Sequence, residues 1–353
     1  MRFRPHLAFT TACVALAALA CSDALEQDTA AGLLVAVVNS RSNTLSLVDA
    51  TRLTARAPLD LTPSSSTARS IDARGDVILV PMGDADAVRV VWIGLAPPSA
   101  PSVILLPSGS GATGVAIVND SLAWVANPDL NSATRINYRT GDTLAQRPVG
   151  LAPRAVVAVN DFVFVVNSNA PAGAPPAGPS WLSRFPCCDA GPTDSIPLTG
   201  TNARFATLGT DGLLYVVLAG TPGAGDGKLA IVDPVARREL AVLDGLGESP
   251  GPAVYHPSGR LLVASATQGI LEINTLTRSI TRGPGDGIKP GGDGVAALAL
   301  DPRGRVYAAA PGSCAAPGTL HVLSAPPAYG AIETVGLGVC PAAAVLAAVP
   351  VVE

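Results

Sequence analysis

Tight turns of one kind punctuate this chain at intervals of roughly 40 to 50 residues, and that recurrence constrains the fold more than any other feature. They read Asp72-Ala73-Arg74-Gly75-Asp76, Val118-Asn119-Asp120, Val159-Asn160-Asp161, Gly209-Thr210-Asp211-Gly212, His256-Pro257-Ser258-Gly259-Arg260 and Asp301-Pro302-Arg303-Gly304-Arg305. Gly, Asn and Asp supply the positive φ that two-strand hairpins need. Each turn precedes a run rich in β-branched or aromatic residues, such as Val77-Ile78-Leu79-Val80 or Phe162-Val163-Phe164-Val165-Val166. Such runs read as buried strands. First strands of the repeating unit begin near residues 68, 113, 153, 203, 252, 295 and 341. That period belongs to a four-stranded propeller blade and not to a helical solenoid. The expected fold class is therefore all-β, a seven-bladed β-propeller of four-stranded blades.

The two ends of the body complement each other. Residues 33–38 read as a second strand with no first strand before it, and residues 342–348 as a first strand with nothing after it. Pairing them in one blade closes the ring and removes exposed strand edges. Ala36-Val37-Val38-Asn39, followed by Ser40-Arg41-Ser42-Asn43-Thr44-Leu45-Ser46-Leu47-Val48-Asp49, resembles the YVTN-type propeller repeat. Trp124-Val125-Ala126-Asn127 and Phe164-Val165-Val166-Asn167 repeat its core, and the other four blades lack the Asn. The resemblance implies a propeller fold and an extracytoplasmic location, and no single activity. The Asn is expected to bond locally to backbone at the strand end, as Asn does in turns.

The N-terminus reads as an address. Arg2 and Arg4 precede an apolar stretch over residues 7–19 that is short for a bilayer span. Leu16-Ala17-Ala18-Leu19-Ala20-Cys21 resembles the lipobox of bacterial lipoproteins, with Ala18 where that motif usually carries Leu. The resemblance implies a signal peptide over 1–20, diacylglycerol on Cys21 and a tether over 21–31, with the propeller spanning 32–353. Ser22 after the cysteine implies sorting to an outer membrane if the cell has one. The polar tether reaches no more than about 30 Å, so the body is expected close to the membrane.

In such a ring the first strand of each blade, strand a, lines the central channel. The b–c and d–a loops gather on one face, the a–b and c–d loops on the other. Variable loops over residues 169–180, 220–227 and 283–294 mark the b–c/d–a face as the candidate binding face. Arg69, Arg154 and Arg204 stand near the start of strand a in three blades in similar register. Convergence at the channel mouth would favour a carboxylate or phosphate, since Arg offers bidentate donors. The alternative is that each pairs with a local acid or with water.

Catalytic signatures are sparse. His256 falls in a tight a–b turn and His321 in a third strand, so neither suits a nucleophile's base. No His/Cys spacing suggests zinc, and Asp84 with Asp86, or Asp286 with Asp293, are weak calcium candidates. No cofactor is expected. With 23 Lys and Arg against 27 Asp and Glu and no basic cluster in the body, a nucleic-acid partner is not expected.

Export implies an oxidising compartment. Cys314 lies in the b–c loop of the last blade and Cys340 in the following d–a connection, so both fall on one face and are expected to form a disulfide. Cys187 and Cys188 lie in a c–d loop on the opposite face, as a vicinal disulfide or as two free thiols. The functional expectation is a monomeric, membrane-anchored binding or protein-interaction module for an unknown protein or small anionic ligand. The alternative is a lactone-hydrolysing propeller, which three or more Asp, Glu, His or Asn side chains converging in the channel would favour.

Overall fold

The computed structural model describes residues 32–61, 67–94, 102–292 and 294–349. Cys21, the signal over 1–20, the tether over 21–31 and Asp293 lie outside the described residues. The chain forms seven antiparallel sheets of the expected strand order. Six have four consecutive strands, with strand a at Asp72–Arg74, Gly114–Ile117, Pro153–Val159, Ala203–Leu208, Ala253–His256 and Ala297–Leu300. These are blades two to seven. Blade one takes strand a from Pro341–Val349, strand b from Gly32–Asn39 and strand c from Thr44–Asp49. Its outer strand is split into Thr54–Ala55 and Leu59–Asp60. The propeller and its ring closure are thus as the sequence implies. Leu33 stands opposite Ala348 and Val38 opposite Ala343 in that closing pair.

The residue pattern of each strand follows from its radial position. Strand b is covered on both faces by neighbouring blades, so Val77–Pro81 and Leu214–Leu218 are buried at every position. Outer strands meet solvent on one side, and Asp194–Thr201 alternates buried and exposed residues. Side-chain alternation then sends one strand into two cores. Leu34, Ala36 and Val38 pack toward blade two with Ile78 and Val80, whereas Val35 and Val37 pack toward blade seven with Tyr307 and Leu320. Each of the seven apolar clusters lies between two adjacent blades, and each fully buried Val, Leu or Ile contributes roughly 1.5–3 kcal/mol.

Polar side chains tie blades where the apolar layers end. His256 contacts the hydroxyl of Ser258 at 2.7 Å through Nδ1 and the Gly304 carbonyl of the next blade at 3.2 Å through Nε2. Gly304 has φ +78°, and a Cβ there would stand 2.7 Å from the imidazole, so this turn takes glycine on both counts. His256 is therefore structural, and His321 sits in third strand Pro317–Leu323, away from the channel.

The Asn of the three repeat cores does more than bond locally. Asn39 Nδ2 donates to the Thr44 carbonyl and across the hairpin to Ser46 Oγ at 2.9 Å. Asn127 Nδ2 donates to Ser132 Oγ and Thr134 Oγ1 at 3.1 and 2.7 Å. Asn167 donates to Ser183 Oγ and accepts from the Gly150 amide. The partners are chiefly strand-c hydroxyls because the Asn is fully buried at the end of strand b, where solvent cannot serve it.

Candidate functional site

Cys314 and Cys340 form the expected disulfide, with Cα atoms 4.4 Å apart. It joins a b–c loop to the d–a connection that leads into the closing strand. Arg41 reinforces the junction by donating to the Cys314 carbonyl at 2.9 Å, and the Ser40 amide donates to the Cys340 carbonyl. Cys187 and Cys188 are free thiols, one buried and one exposed, which decides between the two states left open by the sequence. Burial, with Cys188 alongside, pushes the Cys187 thiol up to about 12.

The three arginines reach one cavity. A channel of about 710 Å³ runs between the inner strands, and Arg69, Arg154 and Arg204 all line it. Arg154 and Arg204 are the second residues of their strands, and Arg69 stands three positions before Asp72, so all three mark the d–a end of the ring. A second cavity of about 450 Å³ shares Arg154 and Arg204 and continues beneath the b–c loops of blades four and five. Blade three, between the blades of Arg69 and Arg154, offers Thr113, whose hydroxyl donates to the Pro153 carbonyl at 3.3 Å.

Neighbouring groups hold the arginines without neutralising them. Arg154 donates to the Ala170 carbonyl at 3.4 Å, and Arg204 Nε donates to Asn202 Oδ1 at 3.1 Å. Asn202 in turn donates to the Gly220 carbonyl at 2.9 Å. Among the described residues none of the three forms an ion pair with a carboxylate. Burial, then the charges of Arg204 and Arg69, holds Arg154 below the ordinary guanidinium value, with Asp129 opposing. Arg204 is lowered by burial and by Arg69. Three like charges around one cavity repel each other, and an anion seated among them removes that cost.

Farther along, the channel wall is made of small and apolar residues: Ala, Val, Ile and Phe205 predominate. Asp72 is the one acid among the residues lining it. Its Oδ2 accepts the Ile117 amide of the next blade at 2.7 Å and its Oδ1 accepts its neighbour Ala73 at 2.9 Å. Burial pushes this carboxyl up to about 6, against those two bonds and the charge of Arg74. Among the described residues the channel lining contains no His and no Asn. The convergent acid/base group on which the hydrolase alternative depends is therefore not among these lining residues.

Two of the calcium candidates, Asp86 and Asp286, have other occupations. Asp86 accepts from the Gly109 amide at 2.7 Å, the Ser110 hydroxyl at 2.9 Å and the Gly111 amide at 3.1 Å. Burial works to raise its pKa, and these bonds outweigh it and hold the carboxyl below its usual value. Asp286 pairs with Arg282 at 3.7 Å. Among the described residues no group of three or more His, Cys, Asp or Glu is placed to hold a metal ion.

The sequence reading singles out the loop over Arg154 but does not mark Asn202 or Asp72 as site residues. The signal available for Asn202 was an Asn at a strand start, where its φ of +55° suits Asn. Nothing local identifies Asp72, because its partner Ile117 lies in another blade.

No protein-family model matches the chain, and no curated protein matches it in sequence. Solved structures do. A functionally unknown protein from Desulfotomaculum acetoxidans superposes with a TM-score of 0.66 at 15% identity, covering 90% of this chain and 98% of that one. Apo AztD from Citrobacter koseri gives 0.58 at 13% identity over 90% and 98%. Virginiamycin B lyase from Staphylococcus aureus gives 0.58 at 13% identity over 79% and 87%. At these identities the likeness concerns the fold alone, and the chain takes its place among the seven-bladed β-propellers.

Proposed function

We propose that this protein is an envelope binding module that takes up a small anion, a carboxylate or phosphate, at the channel mouth on Arg69, Arg154 and Arg204. The observation that carries this reading is the convergence of three guanidinium groups on one cavity with no carboxylate partner among the described residues. Charge-assisted, bidentate bonding to such an anion is what Arg does best.

The address read from the N-terminus fits this role. Gly32 pairs with Val349, the last described residue of the closing strand, at the a–b end of the ring. The described chain therefore begins on the face opposite the arginines. The Cys314–Cys340 disulfide agrees with an oxidising compartment.

Calorimetric titration of the purified protein with inorganic phosphate and with acetate tests the proposal. Saturable binding is expected, and Arg154→Ala is expected to weaken it at least about tenfold, the worth of one hydrogen bond to a charged group. Equal affinity in the parent and in Arg154→Ala and Arg204→Ala variants, all folded, contradicts it.

A further inference from the structure

We infer that the ligand is an organic anion with an apolar body, its charged head on the arginines and its body in the groove between the b–c loops of blades four and five. The inference rests on the anion-binding reading above and names the class of anion.

The groove is the 450 Å³ cavity that shares Arg154 and Arg204 with the channel. Its other walls are mainly Ala and Pro, from Ala170 to Pro175 and at Pro222, with Gly173, Thr221 and Asn202, whose amide is already bonded to the Gly220 carbonyl. Proline has no amide N–H, so three wall positions cannot present an unpaired donor to an apolar guest. Alanine adds methyl surface and no polar group. The remaining backbone of the blade-four loop is partly occupied within the loop. The Ala174 amide donates to the Pro171 carbonyl and the Ala177 amide to the Asn169 carbonyl. Asn169 Nδ2 donates to the Pro179 carbonyl at 3.0 Å. Ala170 is buried, whereas Pro171, Ala172, Ala174, Pro175 and Pro222 stay exposed although they are apolar, as a binding surface requires.

The loop is also tied to the cationic end. Ser168 Oγ donates to the Ala152 carbonyl at 2.8 Å, and Ser180 Oγ donates to the Ser168 carbonyl at 2.9 Å while accepting the Ala203 amide. Ala152 and Ala203 directly flank the strand starts that carry Arg154 and Arg204. The groove wall and the strand starts that carry the two arginines are thus tied together through two buried serines. A free inorganic anion would use the arginines and leave the apolar wall uncovered. An anion with an apolar body covers both, and a cavity of this size is within the range of ligand pockets, roughly 300–1,000 Å³. The channel wall is also largely apolar in its side chains but differs from the groove in its backbone. Strand a is the edge of each sheet, so its unpaired peptide groups face the axis, and Asp72 adds a carboxyl there.

Titration of the purified protein with acetate, butanoate, hexanoate and octanoate tests the inference, with octan-1-ol as the uncharged control. Affinity is expected to rise up to about fourfold per methylene over the part of the chain that the groove covers. Octanol is expected to bind far more weakly than octanoate. Ala172→Asp, which places a carboxylate in the groove, is expected to flatten the chain-length series. Binding that is independent of chain length in the parent overturns the inference and leaves the anion site standing. A series that survives Ala172→Asp unchanged also overturns it. Binding of octanol as tight as octanoate, or of no anion at all, overturns the anion site itself.

Discussion

Val35 and Leu346 face each other across the sheet that closes the ring, one near the start of the described chain and the other near its end. The two strands share eight paired positions, so the last blade cannot form until both ends are in place. Ala347, in the same strand and 3% exposed, packs into the core between blades one and two. Ala347→Asp buries an unpaired carboxylate there and is expected to destabilise by about 3 kcal/mol or more. Thermal unfolding reads this directly. A variant melting with the parent would mean that the closing strand is not held. Truncation after Cys340 is the harsher version and is expected to give unfolded or aggregated protein.

The Cys314–Cys340 bond secures the same strand from its other end. In the chain-entropy description a loop of this size is worth about 3–4 kcal/mol. Reduction, or replacement of both cysteines by Ser, is expected to lower the melting temperature accordingly. Non-reducing peptide mapping is expected to show this linked pair. Cys188 is expected to alkylate readily in the native protein and Cys187 only after unfolding, because burial pushes its thiol up to about 12. A linked Cys187–Cys188 peptide in the native protein would contradict that assignment.

The legible part of this molecule was whatever repeats or obeys local geometry. Hairpins such as Asp301 to Arg305 need Gly and Asp at fixed offsets, so seven blades could be counted and the inner strands placed. The arginine register followed from that count, since equivalent positions on strand a meet at one end of the ring. Contacts between blades were not legible. The bond from Ile117 to Asp72 and the bond from Asn202 to the Gly220 carbonyl depend on the rotation from blade to blade and on loop conformation, which leave no mark in a strand's own pattern. The groove was half legible: its Pro-rich loop stood out, but its seat over Arg154 depends on Ser168 and Ser180, two serines with nothing unusual in sequence.

Asp72 makes a pH prediction. Its carboxyl is raised to about 6 in the fold, well above the usual carboxylate range, mainly by burial. The native state therefore holds the proton more tightly than the unfolded chain. Its contribution is fully present below about pH 4 and is lost as pH rises through 6. Asp72→Asn keeps an acceptor and cannot ionise. The variant is expected to gain stability relative to the parent between pH 4 and pH 7, by at most about 3 kcal/mol for a shift of two units. A difference that does not change over that range would contradict the assignment.

Glu272 carries the opposite sign. Burial acts to raise its pKa, yet bonds from Tyr329 Oη, from Thr281 at 2.7 Å and from Arg260 at 3.1 Å prevail and hold it below its usual value. This contribution is present above about pH 4.5 and is lost as pH falls through the lower native value. Tyr329 belongs to the c–d loop of blade seven, so the bond joins two blades. Tyr329→Phe is expected to cost about 1–3 kcal/mol at neutral pH, and the stability advantage of the parent over Glu272→Gln is expected to narrow in acid. Equal acid sensitivity in parent and Glu272→Gln would contradict this.

The central claim is that Arg69, Arg154 and Arg204 form one anion site, and anomalous scattering from crystals soaked in selenate tests it most directly. Selenate reports the position of a bound tetrahedral anion without reference to its natural counterpart. A selenium peak is expected at the channel mouth within hydrogen-bonding reach of at least two of the three guanidinium groups, and no such peak in crystals of the Arg154→Ala, Arg204→Ala double variant. A mouth without selenium at a concentration that fills other surface sites, or a peak there that persists in the double variant, would contradict it.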